Sequence, residues 1–164
     1  MSVRRAALLG SVKREQIAYE AWNLSFDGTA STVINTGVHL FTAKNINRDF
    51  EFIAEGISGA EAGTDTIICA KHDGNAYGFL VRIRNNTGTT YNGTISVWPT
   101  PSSIIVRRIN GQISLSGTNI SNPGVNITNA VFNWPLVLGC AIDDNGNYCR
   151  YKSGTIGHVC VKWL

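Results

Sequence analysis

From Tyr19 onward the apolar residues recur at every second position, in short runs closed by turn-forming pairs. Trp22, Leu24 and Phe26 alternate with Asn23 and Ser25 before Asp27-Gly28. Phe50, Phe52 and Ala54 form a second set, and Phe79, Val81 and Ile83 a third, opposed by Arg82 and Arg84. A period of two places alternate side chains on one face of an extended chain and does not fit a helical stripe. Each run therefore predicts a half-buried strand. Further strands are expected over 33–38, 66–71, 94–98, 104–109, 112–115, 136–142, 148–151 and 155–163. Asn110-Gly111 and Asn145-Gly146 each predict a two-residue hairpin turn. In the second hairpin Cys140 would face Tyr151, and Cys149 would face Ile142. Roughly a dozen short strands separated by turns argue an all-β, antiparallel β-sandwich. Trp22, Phe26, Phe52, Phe79, Val81, Ile105, Leu138 and Val159 are expected to face its interior.

The 164 residues suit one domain able to bury about 70% of its unfolded surface. Its 43% hydrophobic content excludes a disordered chain. No apolar run approaches the roughly 20 residues of a membrane span. Charge is unevenly placed. Arg4, Arg5, Lys13 and Arg14 fall in residues 1–14, which hold no acid. Removing those four from the 14 basic residues leaves ten against 11 acidic ones, so a basic arm precedes a near-neutral body. We place the arm at 1–18 and the sandwich at 19–164. The apolar stretch beginning at Ala6 is interrupted by Gly10, which makes it shorter than the core of a secretory leader. The body lacks a basic face interleaved with aromatics, so no nucleic-acid partner is expected.

Catalytic constellations are scarce. Glycoside cleavage needs two carboxylates about 5–9.5 Å apart, yet beyond residue 61 only Asp65, Asp73, Asp143 and Asp144 are acidic. Asp143 and Asp144 are neighbours in a hairpin and point to opposite faces. The sequence holds no nucleophile elbow and no zinc-protease or phosphate-loop motif. Hence no enzyme and no catalytic residue is expected. Cys69 and His72, three apart on one strand, diverge. His158 and Cys160 share a face, but two ligands do not close a zinc site. Oxygen ligands at Asp143, Asp144 and Asn145 admit calcium, but a hairpin turn explains the same residues, so no cofactor is expected. The four cysteines are expected reduced, as in a protein folded in a cytoplasm.

Aromatic rings at loop ends are the remaining chemistry. A β-sandwich holds sugar through an exposed ring and neighbouring amides or carboxylates. Trp98 and Trp134 each precede a proline, and Tyr77, Tyr91 and Tyr148 sit among Asn, Thr and Gly. These five are the candidate glycan-binding residues.

Several ordered segments resemble the concanavalin A-like, laminin-G-like sandwich family. Leu24-Ser-Phe-Asp-Gly-Thr29, followed by Val33-Ile-Asn-Thr-Gly-Val-His-Leu-Phe41, is similar to that family's opening strands. Asn47-Arg-Asp-Phe-Glu-Phe52, Ala76-Tyr-Gly-Phe-Leu-Val-Arg82 and Val106-Arg-Arg-Ile-Asn-Gly111 resemble later ones. Leu138-Gly-Cys140 with Arg150-Tyr-Lys-Ser-Gly-Thr-Ile156 resembles the closing pair. The resemblance spans about residues 20–164 and implies a jelly-roll connectivity. Asn35 stands where the family often has Asp, and its calcium ligands are not matched. Domains opening this way resemble structural proteins of tailed bacteriophages and prophages. The resemblance thus implies a non-enzymatic virion component: a capsid decoration, head-fibre or tail protein. It would be folded in the host cytoplasm and present in multiple copies or as a homo-oligomer. Arg4, Arg5, Leu8, Leu9, Lys13 and Arg14 would dock on capsid or tail proteins, and bacterial surface polysaccharide would be the ligand. The alternative is a free-standing carbohydrate-binding or glycan-cleaving domain.

Overall fold

The computed structural model describes residues 16–59, 66–70, 78–83, 90–91, 94–97, 100–118, 131–143 and 145–164. In chain order the strands are β1 (Gln16–Asp27), β2 (Ile34–Asn35), β3 (Phe50–Glu55), β4 (Thr66–Ala70) and β5 (Phe79–Ile83). There follow β6 (Thr90–Tyr91), β7 (Thr94–Val97), β8 (Ser103–Ile109) and β9 (Gln112–Gly117). The last are β10 (Val137–Leu138), β11 (Ala141–Ile142), β12 (Tyr148–Cys149) and β13 (Ser153–Trp163). They form a five-stranded sheet, β1-β13-β3-β8-β9, and a six-stranded sheet, β2-β10-β4-β5-β7-β6, with β11-β12 as a separate pair. Among the described residues no helix is long and apolar enough to cross a membrane.

The two large sheets pack face to face. Phe50, Phe52, Val106, Leu115, Val159 and Val161 from one meet Ile68, Phe79, Val81, Ile83 and Leu138 from the other in a single buried cluster. Phe50 and Phe79 stack across the interior with centroids 6.1 Å apart. Phe41, from the connection after β2, meets both rings edge-on at 6.4 and 6.3 Å and stacks on Phe132 at 4.9 Å. Four rings thus join both sheets and two connections through offset and T-shaped contacts, the arrangements aromatic quadrupoles favour. The expected β-sandwich is present, and Phe26, Phe52, Phe79, Val81, Leu138 and Val159 are buried in it as expected.

Two expected core residues are not inside. Trp22 is 63% exposed. Its strand changes phase at Asn23, whose φ of 55° is left-handed. Tyr19 and Leu24, five positions apart, therefore both pack on the core. The partner strand changes phase too, since Ile156 and Val159 are both buried there with Gly157 between them. Asn tolerates the left-handed region better than most residues, and the two breaks together turn Trp22 outward. Ile105 is only half-buried, because β8 sends Ile104, Val106 and Arg108 inward instead.

One pair within the sheets departs from the antiparallel expectation. β5 and β7 run parallel, Leu80 to Ile83 beside Thr94 to Val97. β6 pairs antiparallel with β7, Tyr91 opposite Thr94, so a short strand outside those expected from the sequence lies between β5 and β7 in the chain.

A third layer covers the back of the six-stranded sheet. Cys140, Ala141 and Ile142 pack with Cys69, Leu80 and Val137, rimmed by Val33, Trp134, Cys149 and Tyr151. Thus β4 and β5 are apolar on both faces, as strands covered twice must be. The register of this hairpin corrects the sequence-based one: Ala141 faces Cys149 and Ile142 faces Tyr148. The reason lies in the turn. Gly146 N–H donates to the Asp143 carbonyl and Asp143 N–H to the Asn147 carbonyl, with Gly146 at φ 83°. That is a three-residue loop ending in a left-handed glycine, one residue longer than Asn145-Gly146 alone predicts. The other predicted hairpin is as expected, with Ile109 opposite Gln112 and both Asn110 and Gly111 at positive φ.

No disulfide joins the four cysteines. Burial, with Cys69 and Cys149 nearby, pushes the Cys140 thiol up to about 12. The thiolate is the reactive form, so Cys140 should resist a disulfide reagent at pH 8 in the folded chain. Unfolding in denaturant should release its reaction. Rapid native labelling, located by peptide mapping, would contradict this placement.

Candidate functional site

The outer face of the five-stranded sheet gathers the polar chemistry. Across β1 and β13, Glu20 lies opposite Cys160 and Trp22 opposite His158. β3 supplies Glu55 opposite His158 and Glu51 opposite Lys162. These outward positions follow from the phase change at Asn23 and Gly157. The Trp22 indole stacks on the His158 imidazole, centroids 3.8 Å apart and planes at 20°. His158 Nε2 lies 3.1 Å from Glu20 Oε1, and Nδ1 lies 3.5 Å from Glu55 Oε2. A carboxylate thus stands at each ring nitrogen. A singly protonated imidazole donates to one of them, and the imidazolium donates to both.

Cys160, 3% exposed, lies beneath this group. The ligand atoms of Glu20, His158 and Cys160 all lie within 4.8 Å of one another. Farther along the face, Glu51 pairs with Arg107 and, at 3.6 Å, with Lys162 Nζ. The result is a sheet face with one broad apolar ring surrounded by charged donors and acceptors. That arrangement suits stacking and hydrogen bonding to a ligand lying on the sheet.

The sequence-predicted glycan residues are not gathered here. Tyr77 and Trp98 lie outside the described residues, and for Tyr91 only the backbone, in β6, is described. Trp134 is half-buried on the opposite side of the sandwich, in the third layer. A Cβ placed on Gly146 would come within 3.0 Å of its ring, so Trp134 braces the hairpin turn. Tyr148, 37% exposed, is on that hairpin, and its carbonyl accepts from the Tyr151 hydroxyl. Arg4, Arg5, Leu8, Leu9, Lys13 and Arg14 also lie outside the described residues. Gln16 and Ile17, assigned to the arm, pair with Trp163 and Lys162 in the sheet.

Two acidic turns prove to be internally committed. Asp143 Oδ1 accepts from Asn145 and Asn147 N–H groups at 2.9 and 2.8 Å. Its carboxylate thereby serves the turn that competed with calcium as an explanation. Asp27 accepts from the Thr29 amide and from the hydroxyls of Thr29, Ser31 and Thr32. Those donors, the Thr29 hydroxyl first, hold its carboxyl down to about 2. The Phe-Asp-Gly-Thr segment is thus a self-satisfied turn.

Sequence reasoning missed Trp22 and the two glutamates around His158. The available signal was Asn23 inside an apolar alternation, since an asparagine within a strand marks a candidate phase break. Comparison with protein-family models, with curated proteins and with solved structures finds no match to the chain.

Proposed function

We propose that this chain is a non-enzymatic binding module, a phage virion surface component that adheres to host glycans through the outer face of its five-stranded sheet. The observation carrying this reading is the Trp22 indole, 63% exposed on the outer sheet face and stacked on His158. His158 covers one face of the indole, and the other face suits the C–H side of a pyranose. Glu20 and Glu55 beside it are acceptors for sugar hydroxyls. The virion setting, with its jelly-roll concanavalin A-like connectivity and arm docking, rests on the sequence resemblance and on the basic residues Arg4, Arg5, Lys13 and Arg14. Many copies on one particle raise weak single-site affinity by about 10²–10⁴ through avidity.

A host-polysaccharide pull-down with multivalently displayed protein tests the glycan reading. Trp22→Ala should lose about tenfold or more of the binding, while a Trp98→Ala, Trp134→Ala double variant should retain it; the reverse pattern would move the site to Trp98 and Trp134. Release of reducing ends would instead favour the rival glycan-cleaving domain. For docking, residues 1–15 should be deleted and not 1–18, because β1 begins at Gln16. The shortened chain should fail to copurify with assembled particles.

A further inference from the structure

We propose that Glu20, His158 and Cys160 form a three-ligand site for a zinc-class divalent cation, with water in the fourth position. This does not rest on the glycan reading, since it depends only on how β1 and β13 face each other. Glu20 is directly opposite Cys160 in the ladder. His158, two residues before Cys160 on the same strand, projects from the same face. The three ligand atoms already lie within 4.8 Å of one another. Zinc bonds of about 2.0–2.3 Å in a tetrahedron separate ligand atoms by about 3.3–3.8 Å. An edge at the 4.8 Å limit must therefore close by about 1 Å, a displacement within the reach of side-chain rotation; Glu20, 39% exposed, is the least enclosed of the three ligands.

The surroundings fit such a site. Glu55 at Nδ1 of His158 is placed to accept that nitrogen's proton in a hydrogen bond. Carboxylates hold metal-ligating imidazoles in this way, fixing the tautomer and leaving the Nε2 lone pair for the cation. That lone pair lies in the ring plane, toward Glu20, whereas Trp22 covers the ring face. Stacking and ligation are therefore compatible, and the stack fixes the ring's plane. Cys160 supplies the softest ligand from the most enclosed position. Its thiol proton passes to solvent as the sulfur–metal bond forms. A sulfur, nitrogen and oxygen set selects zinc or cobalt over calcium and magnesium, which take oxygen ligands.

The test titrates the tag-free chain with zinc by calorimetry and with cobalt(II) by absorption. One equivalent should bind, zinc should raise the melting temperature, and cobalt should give a thiolate-to-metal charge-transfer band. Glu20→Gln and His158→Gln should each weaken zinc binding by about tenfold or more, and Glu55→Gln by about tenfold. Cys160→Ser should abolish the band. Absence of zinc binding at millimolar concentration overturns the proposal. So does a band that survives Cys160→Ser, which would assign it to Cys69, Cys140 or Cys149. If Cys160→Ser does not fold, Glu20→Gln decides, because it changes only an exposed side chain; undiminished affinity there overturns the site.

Discussion

Phe79→Ala should destabilise the protein by about 3–5 kcal/mol, lowering the melting temperature by about 10 °C for a domain of this size. The ring is wholly buried and bridges the two sheets by stacking on Phe50 while meeting Phe41 edge-on. Its removal takes away transfer free energy and leaves a cavity bounded by strands already held by their ladders, so the site cannot collapse fully. Thermal denaturation followed by circular dichroism measures the loss. A shift below about 2 °C would mean that the inter-sheet aromatic cluster is not formed as described.

The second large effect is expected at a glycine. Gly154 has φ +90°, and a Cβ there would lie 2.3 Å from the Ser58 carbonyl oxygen and 2.7 Å from the Gly59 Cα. Both obstacles are backbone, and neither is free to yield. Ser58 and Thr155 exchange N–H to carbonyl hydrogen bonds of 3.0 and 3.2 Å. The buried Lys152 ammonium donates to the carbonyls of Ser58, Gly59 and Ser153. Gly154→Ala combines left-handed strain with displacement of that corner and should cost about 3 kcal/mol or more. Gly37→Ala is the control. Its φ is +69° with nothing within 4 Å of the added carbon, so only the conformational cost of about 1 kcal/mol applies. Equal chemical-denaturation midpoints for the two variants would show that the contact with Ser58 and Gly59 is absent.

Much of the architecture was legible because alternation is a local signal. Phe50, Phe52 and Ala54 announce their shared face without reference to the rest of the chain, and Asn110-Gly111 specifies its turn alone. What failed required information from a second strand. Trp22 looked internal because nothing nearby reveals that Asn23 and Gly157 shift phase together. Ile105 looked internal because the opposite phase of β8 buries Arg108, a costly choice by any single-strand rule. The structure makes that choice with the guanidinium 6.0 Å from the Phe41 ring centroid, where desolvation lowers its pKa and Asp49 partly offsets the effect. The hairpin register slipped by one because Gly146 closes a three-residue loop, which the Asn-Gly pair alone does not distinguish from a two-residue one. His158 and Cys160 were read correctly as sharing a face. Their third companion, Glu20, lies 138 residues from His158 in sequence, and only the β1–β13 ladder brings it there.

That ladder also governs the order in which the chain can become structured. β13, the final 11-residue strand, is not an edge; it stands between β1 and β3. During synthesis β1 emerges early but has no neighbour until Ser153–Trp163 has left the ribosome. The hairpin of β8 and β9 can form meanwhile with β3, whereas Gln16–Asp27 must wait as an unpaired strand, apolar on one face. Long-range closure of this kind slows folding to the millisecond-to-second range and lengthens the interval in which a strand can find a foreign partner. Once closed, Gln16 and Trp163 are adjacent, so joining these two positions and opening the chain at the β8–β9 turn would let the same sheet assemble in a new order of emergence.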